Sequence, residues 1–329
     1  MTALVPITAF AHWPLAVASA SPDALHAVLQ FFAAEVRNPN TRRAYIHAAQ
    51  DFFRHAAMMP AGNRIDTITS LHVSSWVEAM MRDGLSPPTV KLRLAAVGTL
   101  FQSLVRERVV STNPATVVRG PKHSVRRGKT PVLSPDEARQ LLDAIDTSTL
   151  AGLRDRALIA TMIYSFARIS AVTAMTIEDV FTQQRRLWLR LHEKGGKCHD
   201  VPCHHALELD LAAYMDAAEL RGSPRSPLFQ TLMRDTGQPP RLSGKPMSQS
   251  LAWEMVQRRV RDAGLLTRAC NHTFRATGIT AYLKNGGTIE RAASMANHAS
   301  TRTTQLYDRR PDDVTIEDVT IEDVERIRL

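Results

Sequence analysis

The stretch His272-Thr273-Phe274-Arg275, continued by Asn297-His298 and Tyr307, decides how the rest of the chain is read. Residues three apart share a helix face, so His272 and Arg275 point the same way from a helix start. Backbone N–H groups and the helix dipole already favour an anion there. An arginine grips two oxygens of a phosphodiester at once, and a second arginine would complete the clamp. Arg168, just past the apolar helix expected over 150–166, is the candidate. Taken singly these residues are ordinary, because an arginine at a helix start is commonly a solvated charge and a tyrosine on an amphipathic helix a packing residue. The weight rests on their combination.

Working outward, 329 residues are enough for two domains, each with its own core. The 41 Lys and Arg against 32 Asp and Glu give +9. Residues 311–329 hold seven acidic and two basic residues, so residues 1–310 carry 39 basic against 25 acidic, or +14. A basic body with a short acidic tail suits a polyanionic partner. Three cysteines, Cys198, Cys203 and Cys270, are too few for a disulfide framework and point to a reducing compartment. Cys198-His199 and Cys203-His204-His205 have no second ligand pair, so no metal site is expected. The N-terminus lacks a basic leader, Pro6 and Pro14 break its apolar run, and no stretch has the uninterrupted apolar length of a membrane span. A cytoplasmic, nucleoid-associated protein with no membrane partner is expected.

Before the decisive stretch come four helices. Ser21-Pro22-Asp23 is a helix start, with Leu25, Val28, Leu29 and Phe32 at helical spacing. A second helix begins near Asn40-Thr41 with Arg42 and Arg43 facing out, Ser70 caps a third, and Ser86-Pro87 opens a fourth bearing Lys91 and Arg93. From Arg119 to Lys129 the chain holds five basic residues and no acid among Gly, Pro and Ser, including Lys122, Arg126 and Arg127. Such a segment reads as an extended linker, and a basic linker between domains suggests a clamp on a phosphate backbone. Ser134 and Glu137 form a capping box that restarts order. Leu187, Leu189 and Leu191 alternate with polar or half-exposed residues as a strand, Gly195-Gly196 turns, and Asp200 to Cys203 returns as its partner. Helices are expected over 205–220 and 248–263, a loop over 221–246, and a last helix over 301–310 that carries Tyr307.

Ala167-Arg168-Ile169-Ser170, Lys194-Gly195-Gly196-Lys197, His272-Thr273-Phe274-Arg275, Asn297-His298 and Tyr307 together resemble the tyrosine recombinase (phage integrase) family. The order matches, as does the nine-residue step from His298 to Tyr307. The resemblance implies a mainly α fold: a SAM-like helical core-binding domain over 21–116, a basic linker over 117–132, and a mixed α+β catalytic domain over 133–310 with a small antiparallel sheet. These are flanked by an extension over 1–20 and an acidic tail over 311–329.

It further implies that Tyr307 attacks the scissile phosphate, that Arg168 and Arg275 hold its non-bridging oxygens, and that His272 accepts the tyrosine proton. His298 would donate a hydrogen bond to the phosphate. Lys194 would protonate the leaving oxygen, with Lys197 as the alternative. No metal or other cofactor is implied. The DNA-facing set is Arg42, Arg43, Lys91, Arg93, Lys122, Arg126, Arg127 and Lys129. The partner is double-stranded DNA at short core sites, bound by a homotetramer on paired sites and a monomer or dimer when free. A catalytically impaired DNA-binding protein of the same fold is the alternative. Departures from the family pattern are Ser165-Phe166-Ala167, where Gly and Leu are usual, Ala171 in place of Glu, and Asn297 in place of Gly. The tail duplicates Val314–Asp318 as Val319–Asp323; in a helix, five extra residues turn the downstream chain by about 140° and advance it about 7.5 Å, which would perturb assembly.

Overall fold

A computed structural model describes residues 13–18, 20–124, 128–193, 196–233 and 240–308. Arg126, Arg127, Lys194 and the duplicated tail lie outside these described residues. Contacts divide the chain into two compact units, Met1–Ser124 and Val125–Leu329.

The first unit is helical. One turn, α1 (Leu15–Ala18), precedes α2 (Pro22–Gln30), which runs into a π-helical turn over Phe31–Glu35. Then come α3 (Pro39–Ala56), α4 (Ser70–Arg82) and α5 (Pro87–Arg106). Starts are set by side chains that satisfy orphan N–H groups: Ser21 accepts from Ala24 N, and Asn38 from Asn40 N and Thr41 N, so α3 begins earlier than Asn40. Thr69, not Ser70, caps α4, paired with His72. The core is aromatic, with Phe52 meeting Trp76 edge-on at 5.2 Å and Phe101 at 6.0 Å.

Two basic residues expected to face DNA have structural partners instead. Arg42 is 8% exposed, and its Nε donates to Val36 O at 3.0 Å and Nη2 to Ala33 O at 3.3 Å. The π-helical turn leaves carbonyls at its C-terminal end unpaired, and a buried cation there meets both hydrogen-bond and dipole needs. Arg93 pairs with Asp51 at 2.9 Å, which also accepts from Trp76 Nε1 at 3.1 Å, so its charge is committed inside the unit. Arg43, Lys91 and Lys122 are exposed.

The second unit opens with α6 (Pro135–Asp143), capped by the Ser134 and Glu137 box, and α7 (Leu150–Tyr164). Next is α8 (Ile169–Val172), then an antiparallel sheet in the order β1 (Val180–Gln183), β2 (Arg186–Glu193), β3 (Lys197–Pro202). The register sets Leu189 opposite Val201 and Glu193 opposite Lys197. Helix α9 (His205–Ala217) leads to a hairpin, β4 (Gln230–Met233) with β5 (Arg241–Pro246). This hairpin replaces the loop expected over 221–246. Its strands are short and polar, and Gln230 Oε1 accepts from Gly244 N, so no apolar alternation announces it. The chain continues through α10 (Gln249–Asp262), α11 (Asn271–Lys284), α12 (Ile289–Met295) and α13 (Thr301–Gln305). Among the described residues no helix is long and apolar enough to cross a membrane.

Helix α7 is buried on nearly all sides, including Asp155 at 0% exposure. Asp155 is neutralised by Arg154 at 2.6 Å, Arg259 at 2.8 Å and Arg258 at 3.1 Å, which ties α7 to α10. Helix α11 packs on α7 at Gly278, where a Cβ would stand 2.0 Å from Ile163 O and 2.8 Å from the Phe166 ring. Only a glycine permits this approach. Gly278→Ala is therefore expected to destabilise the protein by about 3 kcal/mol, at the upper end of overpacking costs. Urea unfolding at neutral pH measures this, and an unchanged midpoint would contradict the packing described.

Candidate active site

The site is assembled from element ends. After α7 stops at Tyr164, Phe166 takes a left-handed backbone with φ +54°, an outlier for a bulky residue. Its ring, 3% exposed, sinks among Ile279, Leu283 and Tyr282 and fills the notch at Gly278. The reversal turns the Phe166 carbonyl to Arg275 Nη1. Two residues on, Arg168 caps α8 in extended backbone, and its Nη1 donates to Glu193 Oε2 at 2.6 Å.

Arg275 lies one turn into α11 and is 1% exposed. Its Nη2 donates to Ala296 O and to His298 Nε2, the latter at 2.7 Å. Nε is buried without a hydrogen-bond partner among the described residues. The Ala296 acceptor is presented by the end of α12, where Asn297 takes φ +46° and His298 N bonds back to Ala293 O at 2.9 Å. That closing pattern places the next side chain, His298, at the site. A guanidinium can only donate, so His298 Nε2 accepts and its proton sits on Nδ1, facing Thr304 Oγ1 at 2.8 Å. In this arrangement His298 offers Arg275 a lone pair and has no Nε2 proton to donate.

Helix α13 ends at Gln305, five residues short of the expected limit, and Tyr307 lies in the turn after it. Tertiary bonds hold this turn: Thr280 Oγ1 of α11 donates to Tyr307 O at 2.8 Å, and Gly128 N to Leu306 O at 3.0 Å. The Tyr307 ring stacks on His298 with centroids 5.7 Å apart and planes at 10°, and His298 in turn is hydrogen-bonded to Arg275. His272, in the first turn of α11, stands at the exposed rim.

Arg168, His272, Arg275, His298 and Tyr307 thus converge. Three further residues complete the group: Glu193, which pairs with Arg168, and Thr280 and Thr304, which hold Tyr307 and His298. No motif marks the threonines, whereas Glu193 had one available signal, an acid directly before Lys194-Gly195-Gly196-Lys197 in the sequence. Lys197 is exposed on β3.

The electrostatics are those of two cations sharing a small volume. Burial, then Arg168, pushes Arg275 down to about 10, while Tyr307 and Glu193 pull the other way. Burial followed by Arg275 and Arg168 lowers His298 to about 4, and the same causes lower His272. Both imidazoles are therefore neutral at physiological pH, beside a pair of guanidiniums that would welcome an anion.

The phage integrase family profile matches residues 131–313, and the profile of the phage integrase N-terminal SAM-like domain matches residues 29–108. Tyrosine recombinase XerC of Mycobacterium sp. (strain KMS) is 27% identical over 277 residues, covering 82% of this chain and 88% of the relative. Tyrosine recombinase XerD of Bifidobacterium longum is 27% identical over 259 residues, covering 77% of this chain and 81% of the relative. Among solved structures, XerH site-specific recombinase bound to palindromic difH substrate superposes with a TM-score of 0.68 at 17% identity, covering 95% of this chain and 91% of that one. A lambda integrase dimer bound to a COC′ core site gives 0.65 at 17% identity, covering 90% and 80%.

A histidine whose pKa is lower folded than unfolded takes up its proton more readily in the unfolded chain. Above about pH 6.5 the His298 imidazole is neutral in both states. As pH falls from there toward about 4, the unfolded state gains protons first and stability drops. His298→Asn should reduce the loss of unfolding free energy between pH 6.5 and 5, measured by urea titration at each pH. An equal loss in both proteins would show that His298 is not held neutral.

Proposed function

The chain belongs to the phage integrase family of tyrosine recombinases, and we propose that it is a site-specific DNA recombinase with Tyr307 as its nucleophile. The observation that carries this is the Tyr307 phenol stacked on His298, which is itself hydrogen-bonded to Arg275, a guanidinium that feels the charge of Arg168. Tyr307 Oη attacks the scissile phosphorus, a P–O bond forms to the tyrosine, and the bond to the 5′-oxygen breaks. A 3′-phosphotyrosyl link and a 5′-hydroxyl result. Attack by the 5′-hydroxyl of a partner strand reverses the step and releases the tyrosine, so the phosphodiester energy is conserved without a nucleotide.

Each residue has a chemical task in that step. A phenol near its ordinary pKa of about 10 is a weak nucleophile at neutral pH, and His272, held neutral, takes its proton. Arg168 and Arg275 neutralise the charge that grows on the non-bridging oxygens. A phosphate oxygen competes with His298 for Arg275 Nη2, and His298 then bonds the phosphate through Nε2 once that atom carries a proton. Lys194 protonates the leaving 5′-oxygen, and Lys197 is the alternative. Arg43, Lys91, Lys122, Arg126, Arg127 and Lys129 bind the DNA backbone, where each neutralised phosphate adds salt dependence.

The substrates are short double-stranded core sites, paired by a homotetramer of protein that is monomeric or dimeric off DNA. The biological outcome is integration, excision or transposition of a mobile element, carried out on cytoplasmic, nucleoid DNA. On a nicked suicide duplex, Tyr307→Phe should abolish the covalent protein–DNA adduct and leave DNA binding intact. The wild-type adduct should form equally well in EDTA. Adduct formation by Tyr307→Phe would overturn the assignment.

A further inference from the structure

We propose that Glu193 is a positioning residue for strand cleavage, its carboxylate anchoring one edge of the Arg168 guanidinium so that the remaining N–H groups face the phosphate. The proposal rests on the reading of Arg168 as a phosphate-binding group.

Arg168 is a long side chain, 35% exposed, that starts from the cap of the four-residue helix α8. Ordering such a side chain costs about 2 kcal/mol of rotamer freedom, and some partner must supply that order before DNA arrives. Ala171, three residues on and fully buried, has no carboxylate to do so. Glu193 comes from a different element, the last position of β2, and its side chain is 6% exposed. A carboxylate so far from water requires a charged partner, and Arg168 Nη1 at 2.6 Å is that partner. The contact uses Nη1 alone, and among the described residues no other hydrogen bond is made by the Arg168 side chain. Nε and Nη2, which make no hydrogen bond among the described residues, are the groups assigned to the phosphate. Glu193 also opposes the mutual repulsion of Arg168 and Arg275, since it acts on both. Its place at the end of β2, opposite Lys197 on β3, links the arginine clamp to that strand pair.

The test uses the full chain on a nicked suicide duplex, with single-turnover adduct formation and DNA affinity measured separately. Glu193→Gln keeps the size but removes the charge that makes the anchor strong and directional, and thermal unfolding checks that it folds. Cleavage should slow about 10- to 100-fold, as expected for a displaced catalytic group, while DNA affinity is unchanged or tighter because a negative charge has gone. In the Arg168→Ala background Glu193→Gln should cause no further loss, since the two act as one unit. Cleavage by Glu193→Gln at or above the wild-type rate overturns the proposal, the faster case marking Glu193 as a competitor of the phosphate. A full additional loss in the double variant also overturns it. Arg168→Ala separates the two levels: wild-type cleavage by that variant removes the clamp itself, whereas slow Arg168→Ala with fast Glu193→Gln removes only the role of Glu193.

Discussion

A guanidinium at 1% exposure keeps its charge only where the surrounding backbone meets its N–H groups, and much of the catalytic unit is shaped by meeting those of Arg275. Its acceptors are carbonyls from two different turns, Phe166 O after α7 and Ala296 O at the end of α12. Both turns use left-handed residues, Phe166 and Asn297, at about 1–2 kcal/mol each for a non-glycine. Asparagine tolerates that conformation. Phenylalanine does not do so readily, and the cost is offset by burial of its ring in the notch that Gly278 leaves between α7 and α11. The same two turns deliver Arg168 and His298, so satisfying one buried cation also places two other members of the site.

Burial and charge together set the state of the groups gathered there. Burial first, and then the charges of Arg275 and Arg168, lower the pKa of both His272 and His298. Neutral histidines suit a reaction in which a phenol must lose a proton. Among the described residues the Nε of Arg275 has no hydrogen-bond partner and Arg168 donates only through Nη1, so both guanidiniums keep donors that an anion can complete.

The helical framework is legible in the sequence because it depends on local signals, and the five converging side chains are legible because their order resembles the family pattern. Ser21, Ser134 and Ser248 announce helix starts by their hydrogen bonds, and His272 and Arg275 share a face by spacing. The burial of Arg42 is not legible, because its partners, the open carbonyls of a π-helical turn, arise from a distortion of α2 that no periodicity encodes. The helix expected to carry Tyr307 stops before it, since the conformation of Tyr307 is fixed by Thr280 across the fold rather than by its neighbours in sequence. The β4–β5 hairpin is hidden in a Gly- and Pro-rich stretch, where a single Leu pair, Leu232 opposite Leu242, is too short an apolar pattern to announce two strands. Ala171 marks a missing carboxylate, but that Glu193 reaches Arg168 from β2 is a tertiary fact.

The most direct measurement is the identity of the residue joined to DNA. Trapping the adduct on a nicked duplex, trimming the DNA with nuclease and sequencing the modified peptide by mass spectrometry should find a single nucleotide-bearing site at Tyr307, with a free 5′-hydroxyl on the released strand. A link at Tyr282 or any other residue, or a 5′-phosphoryl attachment, would contradict the account.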